Sequence, residues 1–325
     1  MKLASLRDST RDGRLVIVTS DLTCAVKAQA CATLLAALEN WRICEPLLRD
    51  QAKRLEANHE EAFPFDPSAL LAPLPRAPQW LDASAYRTHS ELVCAAWATP
   101  NPFSDSIPLM YQGASDDFLP PHGPSYLPDE ADSIDLEAEV AVVVDEVPMG
   151  IDAQRALGHI KLVMLANDVS LRAFGPREMQ AGFGFLQAKP STVFSPVAVS
   201  IDELGEAWQH GRLHGPVRAL INHIQIGSPN AAHMAFSFGD LIAHAARTRR
   251  LSAGTIIGSG TVSDPDRAAG SATLVELRAV ETIAQGAAHT PFLKFGDRVE
   301  IEALDQQGQS IFGRIDHRVL RYAQA

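Results

Sequence analysis

The chain has 325 residues, 46% hydrophobic and 21% charged, with a formal net charge of -11. That composition is that of a folded protein with one large or two unequal domains and a substantial core, not of a disordered or fibrous chain. The acidic balance excludes nucleic acid and anionic membrane as main partners, because both demand a basic patch, and no apolar stretch approaches bilayer-spanning length.

Residues 1–8 turn polar before any apolar core of signal-peptide length, so a cytoplasmic protein is expected. Strands are predicted at 2–6 and 15–19, followed by a helical segment over about 29–58, where Leu34, Leu35, Leu38, Trp41, Leu47, Leu48 and Leu55 recur at helical spacing. Pro46 is expected to kink or divide that segment. Cys24, Cys31, Cys44 and Cys94 form no CxxC pair and no regular framework, so reduced thiols are expected, with Cys31 and Cys44 as small core residues of the helical segment. Pro64, Pro67, Pro73, Pro75 and Pro78 predict a linker running over the surface, which divides the chain into 1–78 and 79–325.

Beyond Trp80 the pattern becomes β-rich. Strands are predicted at 139–144, 161–166, 195–199, 217–221, 255–258, 272–280 and 298–303, with helices only near 153–159, 176–182 and 238–247. Runs of strands without regular βαβ alternation predict an α+β, mostly β fold with a mixed or antiparallel core, not a doubly wound sheet.

The run 134–144, Ile-Asp-Leu-Glu-Ala-Glu-Val-Ala-Val-Val-Val, carries the strongest chemical signal. In a strand, Glu137 and Glu139 share one face, and Leu136, Ala138, Val140, Val142 and Val144 form the dry opposite face. Two like charges held so close need a counter-cation, and no Lys or Arg occurs between Arg87 and Arg155. Asp168 ends the apolar run 162–166, where a strand leaves the core. Three carboxylates without Cys or His predict a hard divalent ion, Mg²⁺, Ca²⁺ or Mn²⁺, rather than zinc, while the plain alternative is a solvated acidic face.

Other segments carry less. Lys189 follows an apolar, glycine-containing approach, and a lysine buried there requires a partner anion. The glycine-rich stretch 254–261 lacks both the Gly-Lys-Ser/Thr of a phosphate loop and the spacing of a dinucleotide fingerprint. His210 and His214 stand among glycines and proline and are expected in a loop.

As an ordered set, Glu137-Ala138-Glu139, Asn167-Asp168-Val169-Ser170-Leu171-Arg172, Gly184-Phe185-Leu186-Gln187-Ala188-Lys189, Gly258-Ser259-Gly260-Thr261-Val262-Ser263, Leu274-Val275-Glu276-Leu277 and Phe295-Gly296-Asp297-Arg298-Val299 resemble the fumarylacetoacetate hydrolase family. The resemblance runs from about 80 to 317, and the long amino-terminal extension is similar to the fumarylacetoacetase-type branch. It implies a small amino-terminal α+β domain, a β-sandwich roll and a homodimer. It implies Glu137, Glu139 and Asp168 as metal ligands, with Asp82, seven residues before His89, as a fourth.

The resemblance further implies His89 as general base, Glu276 as its orienting carboxylate, Lys189 at the oxyanion site, Tyr111 as a substrate contact and Thr261 as a contact for the substrate carboxylate. The implied reaction is metal-dependent hydrolysis of a carbon–carbon bond in a small 1,3-diketo acid, with Mg²⁺ the expected ion. Same-fold alternatives are a decarboxylase of a 2-oxo acid or a dehydratase of a sugar acid, and a catalytically silent metal-stabilised protein is a third. The chain departs from the family's pattern at 173–176, which offers neither the Gln nor the Tyr of fumarylacetoacetases, and at 94–98, which lacks the second substrate-binding arginine.

Overall fold

The strand Ala138–Val144 crosses the centre of the molecule, and a computed structural model of residues 1–58 and 61–323 shows what its alternation does. Leu136, Ala138, Val140, Val142 and Val144 enter one apolar cluster, while Ala141 and Val143 enter a second on the other side. Both faces are therefore dry. Period two places the acids on one face as expected, but that face is not solvated: Glu137 is 5% and Glu139 0% exposed.

The fold is α+β and dominated by two mixed sheets. In the larger, of eleven strands, Ala138–Val144 lies between Ile160–Asn167 and Ile256–Gly258, and Trp80–Ala83 and Met110–Gly113 follow outward. All of these neighbours pair antiparallel except Ile256–Gly258 with Trp80–Ala83. On the other side the amino-terminal strands Lys2–Leu6, Arg14–Val18, Cys24–Lys27 and Phe63–Pro64 continue the sheet through pairing of Lys2–Leu6 with Ala198–Ser200. A five-stranded sheet, in which Val217–Ile221, Arg298–Ala303 and Ile315–Arg321 are consecutive, packs against the first. Among the described residues no helix is long and apolar enough to cross a membrane.

Several expectations change. The segment 29–58 forms two helices, Leu34–Glu39 and Trp41–Asn58, and the break falls at Asn40, while Pro46 stays inside the second helix. Proline forfeits one backbone bond there, but Trp41, Cys44, Leu48, Gln51 and Leu55 form a buried stripe that holds the helix down. Cys31 precedes the first helix and is joined to Cys44 in a disulfide, contrary to the reduced pair expected; Cys24 and Cys94 are free. The proline-rich stretch is packed rather than loose: Leu70, Ala72 and Leu74 are buried, and the Ser5 hydroxyl donates to the Pro73 carbonyl at 2.7 Å.

Most of the strand predicted at 272–280 instead lies in the helix Leu274–Gln285. A Leu/Val-rich start favours strand locally, yet burial of Leu274, Val275 and Ala279 against a neighbouring helix decides the outcome. That neighbour, Arg87–Ala96, was not anticipated by any sequence period.

Gly258 stands opposite Asp82 in the parallel pair and opposite Ala141 in the antiparallel one. A Cβ there would lie 2.2 Å from Asp82 Oδ1 and 2.4 Å from the Trp80 ring. Glycine thus leaves the room into which the Asp82 carboxylate turns. Overpacking of this kind costs about 1–3 kcal/mol, so Gly258→Ala is expected to lower the free energy of unfolding by that much, read as a lower urea midpoint. An unchanged midpoint would show the space to be compliant.

Candidate active site

Three strands deliver one carboxylate each to the same face. Along Ile160–Asn167, Leu162, Met164 and Ala166 enter the second apolar cluster, and Asp168 continues their row just past the strand end. Ala141 and Val143 enter the same cluster with Glu139 next in line, and Trp80 enters it with Asp82 two residues on. Pleat alone therefore aims Asp82, Glu139 and Asp168 at one point, and each offers an oxygen within 4.8 Å of the other two. All three are buried.

The electrostatics of this trio are severe. Burial first, and then the neighbouring Asp168, push the Asp82 carboxyl up to about 8, with Lys189 opposing. Burial and the Asp82 and Asp168 charges push Glu139 well above the usual carboxylate range. Among the described residues neither Glu139 oxygen has a hydrogen-bond partner. Buried acceptors without donors are costly and rare, and an all-oxygen set with two free oxygens fits a hard divalent cation.

Glu137 stands apart from the trio. Burial works against its charge, but Lys189 and Arg172 outweigh that and hold its carboxyl below the usual range. Arg172 Nη2 donates to Oε1 at 2.6 Å and Lys189 Nζ to Oε2 at 2.5 Å. The same ammonium donates to Asp168 Oδ2 at 2.5 Å, where the Tyr111 hydroxyl also donates at 2.6 Å, and Thr192 donates to Asp168 Oδ1 at 3.0 Å. Of the four expected metal ligands, three converge and Glu137 is occupied by two cations. Tyr111, expected at the substrate, is turned onto Asp168. Thr261 lies buried in the loop that follows Ile256–Gly258, close to Gly260, whose backbone N–H donates to Asp82 Oδ1 at 3.1 Å.

His89 projects from the helix Arg87–Ala96 and Glu276 from the first turn of Leu274–Gln285, and these two helices pack together. His89 Nδ1 lies 3.1 Å from Glu276 Oε2, and Glu276 is 1% exposed. Donation from Nδ1–H to the carboxylate leaves Nε2 as the free acceptor of the imidazole. Ser263 Oγ donates to Glu276 Oε1 at 2.9 Å, so the carboxylate is fixed from both sides. His89 is near enough for its charge to act on Glu137, which ties this pair to the carboxylates.

Sequence reasoning passed over the residues that make this arrangement possible. Thr273-Leu274-Val275-Glu276 reads as a capping box, but Asp135 takes the capping role: its Oδ1 accepts from Leu274 N at 2.8 Å, and its Oδ2 accepts from Val275 N and from Thr273 Oγ1, both at 2.9 Å. Glu276 is thereby free for His89. Arg172 Nε donates to the same Asp135 Oδ2 at 2.9 Å, which links the helix start to Glu137. Asn167 Oδ1 accepts the Glu137 N–H at 3.0 Å. Asn167 and Arg172 were visible as members of a motif, but nothing local indicates their partners.

Residues 1–76 match the family described as fumarylacetoacetase N-terminal domain 2, and residues 79–320 match that described as fumarylacetoacetate hydrolase C-terminal. A fumarylacetoacetase of Caenorhabditis elegans is 26% identical over 274 residues, 74% of this chain and 62% of that protein. An oxaloacetate tautomerase of Xenopus laevis is 26% identical over 157 residues, 47% of each. The chain thus spans about half to three-fifths of the length of these curated relatives. The structure of a maleylpyruvate hydrolase from Sphingobium, solved with manganese(II) and pyruvate, superposes with a TM-score of 0.65 at 14% identity, covering 99% of this chain and 100% of that one. With residues 79–320 of the 325 matched, the chain belongs to the fumarylacetoacetate hydrolase family.

Proposed function

We propose that the protein is a divalent-metal-dependent hydrolase that cleaves the carbon–carbon bond of a small 1,3-diketo acid. The observation that carries this reading is the part-buried His89–Glu276 pair together with three converging carboxylates, of which Glu139 has no hydrogen-bond partner among the described residues. Asp82, Glu139 and Asp168 would hold the ion, which we assign as magnesium, with Glu137 alongside. When bound, the ion supplies Lewis-acid polarisation of the dicarbonyl and positive charge for the enolate that departs.

The chain's own groups account for the rest. His89 Nε2 takes a proton from water as the water oxygen bonds to the carbonyl carbon distal to the acid head. Glu276 keeps the ring in the tautomer that leaves Nε2 free and stabilises the imidazolium that results. Lys189, with its charge kept by Asp168 and Glu137 against the effect of burial, supplies positive charge for the tetrahedral oxyanion. As the carbon–carbon bond breaks, its electron pair leaves with the enolate fragment, a proton returns to that carbon, and the acyl part departs as a carboxylic acid. A homodimer is part of the proposal, supported by Phe183 and Leu186, which are 99% and 83% exposed on one loop.

A second reading is supported by the tautomerase relative: the same imidazole could move a proton between carbon and oxygen with no water consumed. Loss of enol absorbance from acylpyruvates with Mg²⁺, together with recovery of two acid products, supports hydrolysis; keto–enol conversion with no new acid would replace it with the second reading. In that assay His89→Ala should cost on the order of 10²-fold or more in turnover, with metal content retained. Full activity in that variant would remove His89 from the mechanism.

Two further outcomes concern the carboxylates. Mn²⁺ is expected to raise the melting temperature of the protein and to leave that of Glu139→Ala unmoved; an equal shift in both would place the ion elsewhere. Because burial and Asp168 hold Asp82 up at about 8, the folded state keeps a proton that the unfolded chain, with an ordinary carboxyl near 4, has already lost. Metal-free protein should therefore lose stability as pH rises from about 4 to about 8. Asp82→Asn should flatten that slope in urea unfolding, and an identical slope in the variant would refute the assignment.

A further inference from the structure

We infer that Glu178 is a positioning residue: by gathering the backbone N–H groups of Leu186, Gln187 and Ala188 onto its carboxylate, it fixes the loop that ends at Lys189 and so holds the Lys189 ammonium in place among the carboxylates of the site. This rests on the role given to Lys189 in the hydrolytic reading above.

The helix Gly175–Ala181 ends at Gly182, whose φ of 74° turns the chain back on itself. The returning stretch has almost no core of its own: of residues 181–187 only Phe185 is partly buried. Apolar packing therefore does not order it. Glu178 does: its Oε2 accepts from Leu186 N at 3.0 Å and from Ala188 N at 3.1 Å, and its Oε1 accepts from Gln187 N at 2.8 Å. Hydrogen bonds to an ionised acceptor are stronger than neutral ones, and three successive amides converge on this carboxylate. Desolvation works against the Glu178 charge, but the Gln187, Leu186 and Ala188 amides outweigh it and hold the carboxyl below the usual range.

The clasp governs both contacts that the loop makes with Asp168. Ala188 is held from two sides, its N–H by Glu178 and its carbonyl by Leu171 N at 2.8 Å. Lys189 comes next, its backbone restricted by the following Pro190, and its Nζ reaches Glu137 Oε2 and Asp168 Oδ2, both at 2.5 Å. Phe185 meets the Tyr111 ring edge-on with centroids 5.1 Å apart, and Tyr111 donates to the same Asp168 oxygen. A lysine stem is flexible, so the ammonium is placed well only when its backbone is fixed. Lys189 also shares Asp168 with the cation that the trio would hold, so ion pairing alone does not keep it in position in the loaded site.

Glu178→Ala and Glu178→Gln test this with two readouts. The first is turnover of acetylpyruvate with Mg²⁺. Glu178→Ala should lower kcat by about 10- to 100-fold, the scale of misplacing a reacting group by about 1 Å, and leave KM within about twofold, because Lys189 serves a charge that forms only after binding. The second readout, on metal-free protein, is acetylation of Lys189 by acetic anhydride, measured by mass spectrometry against Lys161 in the same sample. Lys161 pairs with Asp145 at 3.0 Å at the far end of the strand Ile160–Asn167 and so reports general unfolding. Glu178→Ala should raise the ratio of Lys189 to Lys161 labelling by about tenfold or more, the local opening expected when hydrogen bonds to a charged group are lost. Glu178→Gln keeps one carbonyl oxygen for two of the three amides and should fall between Glu178→Ala and the wild type in both readouts. An unmoved kcat in an active protein, a change in KM alone, or an unmoved labelling ratio overturns the inference; a merely structural role predicts an unmoved ratio with a lowered melting temperature. If the wild type cleaves no acylpyruvate, the hydrolytic reading fails and the labelling ratio decides alone, a rise supporting the hold of Glu178 on Lys189 and an equal ratio overturning it.

Discussion

Like charge confined in a dry interior is the constraint on which this structure turns. Asp82, Glu139 and Asp168 lie at the ends of rows that are otherwise Trp, Leu, Val, Met and Ala, so the packing that excludes water from the sheet excludes it from the acids as well. Two responses are built in. On one side Lys189 and Arg172 neutralise Glu137 and part of Asp168; on the other, no cationic side chain among the described residues bonds to Glu139. A site of that kind is unfavourable when empty of positive charge and favourable when supplied with it, which is how a pocket becomes selective for a cation rather than tolerant of one.

The same geometry sets a division of labour between layers. The sheet contributes rigid carboxylates, fixed by pleat and register, whereas the helices Arg87–Ala96 and Leu274–Gln285 contribute the titratable pair. Neither layer holds both kinds of group. Gly258 is the point of contact between strands where clearance was needed, since any side chain would displace the Asp82 carboxylate.

What the sequence disclosed follows from which interactions are local. Glu137, Glu139 and Asp168 could be picked out because period two and the end of an apolar run are properties of neighbouring residues. Whether that face is solvated was not legible, because burial depends on what covers a strand. His89 was placed only by family resemblance: its helix is short and buries little besides Ser90. The 272–280 segment was read as strand for its Leu and Val content, and a helix packed beside it reversed that. Arg172 and Asp135 have partners 35 or more residues away, and neither pairing leaves a local trace.

Asp135 joins two things that are usually adjusted separately. Its carboxylate ends the backbone of one helix and anchors the arginine that balances Glu137, while releasing Glu276 to the imidazole. Attempts to make the protein hardier by redesigning the start of that helix would therefore retune the chemistry at the same stroke. Room for engineering lies instead at its far end near Gly286, where the turn faces open space and answers to no reacting group.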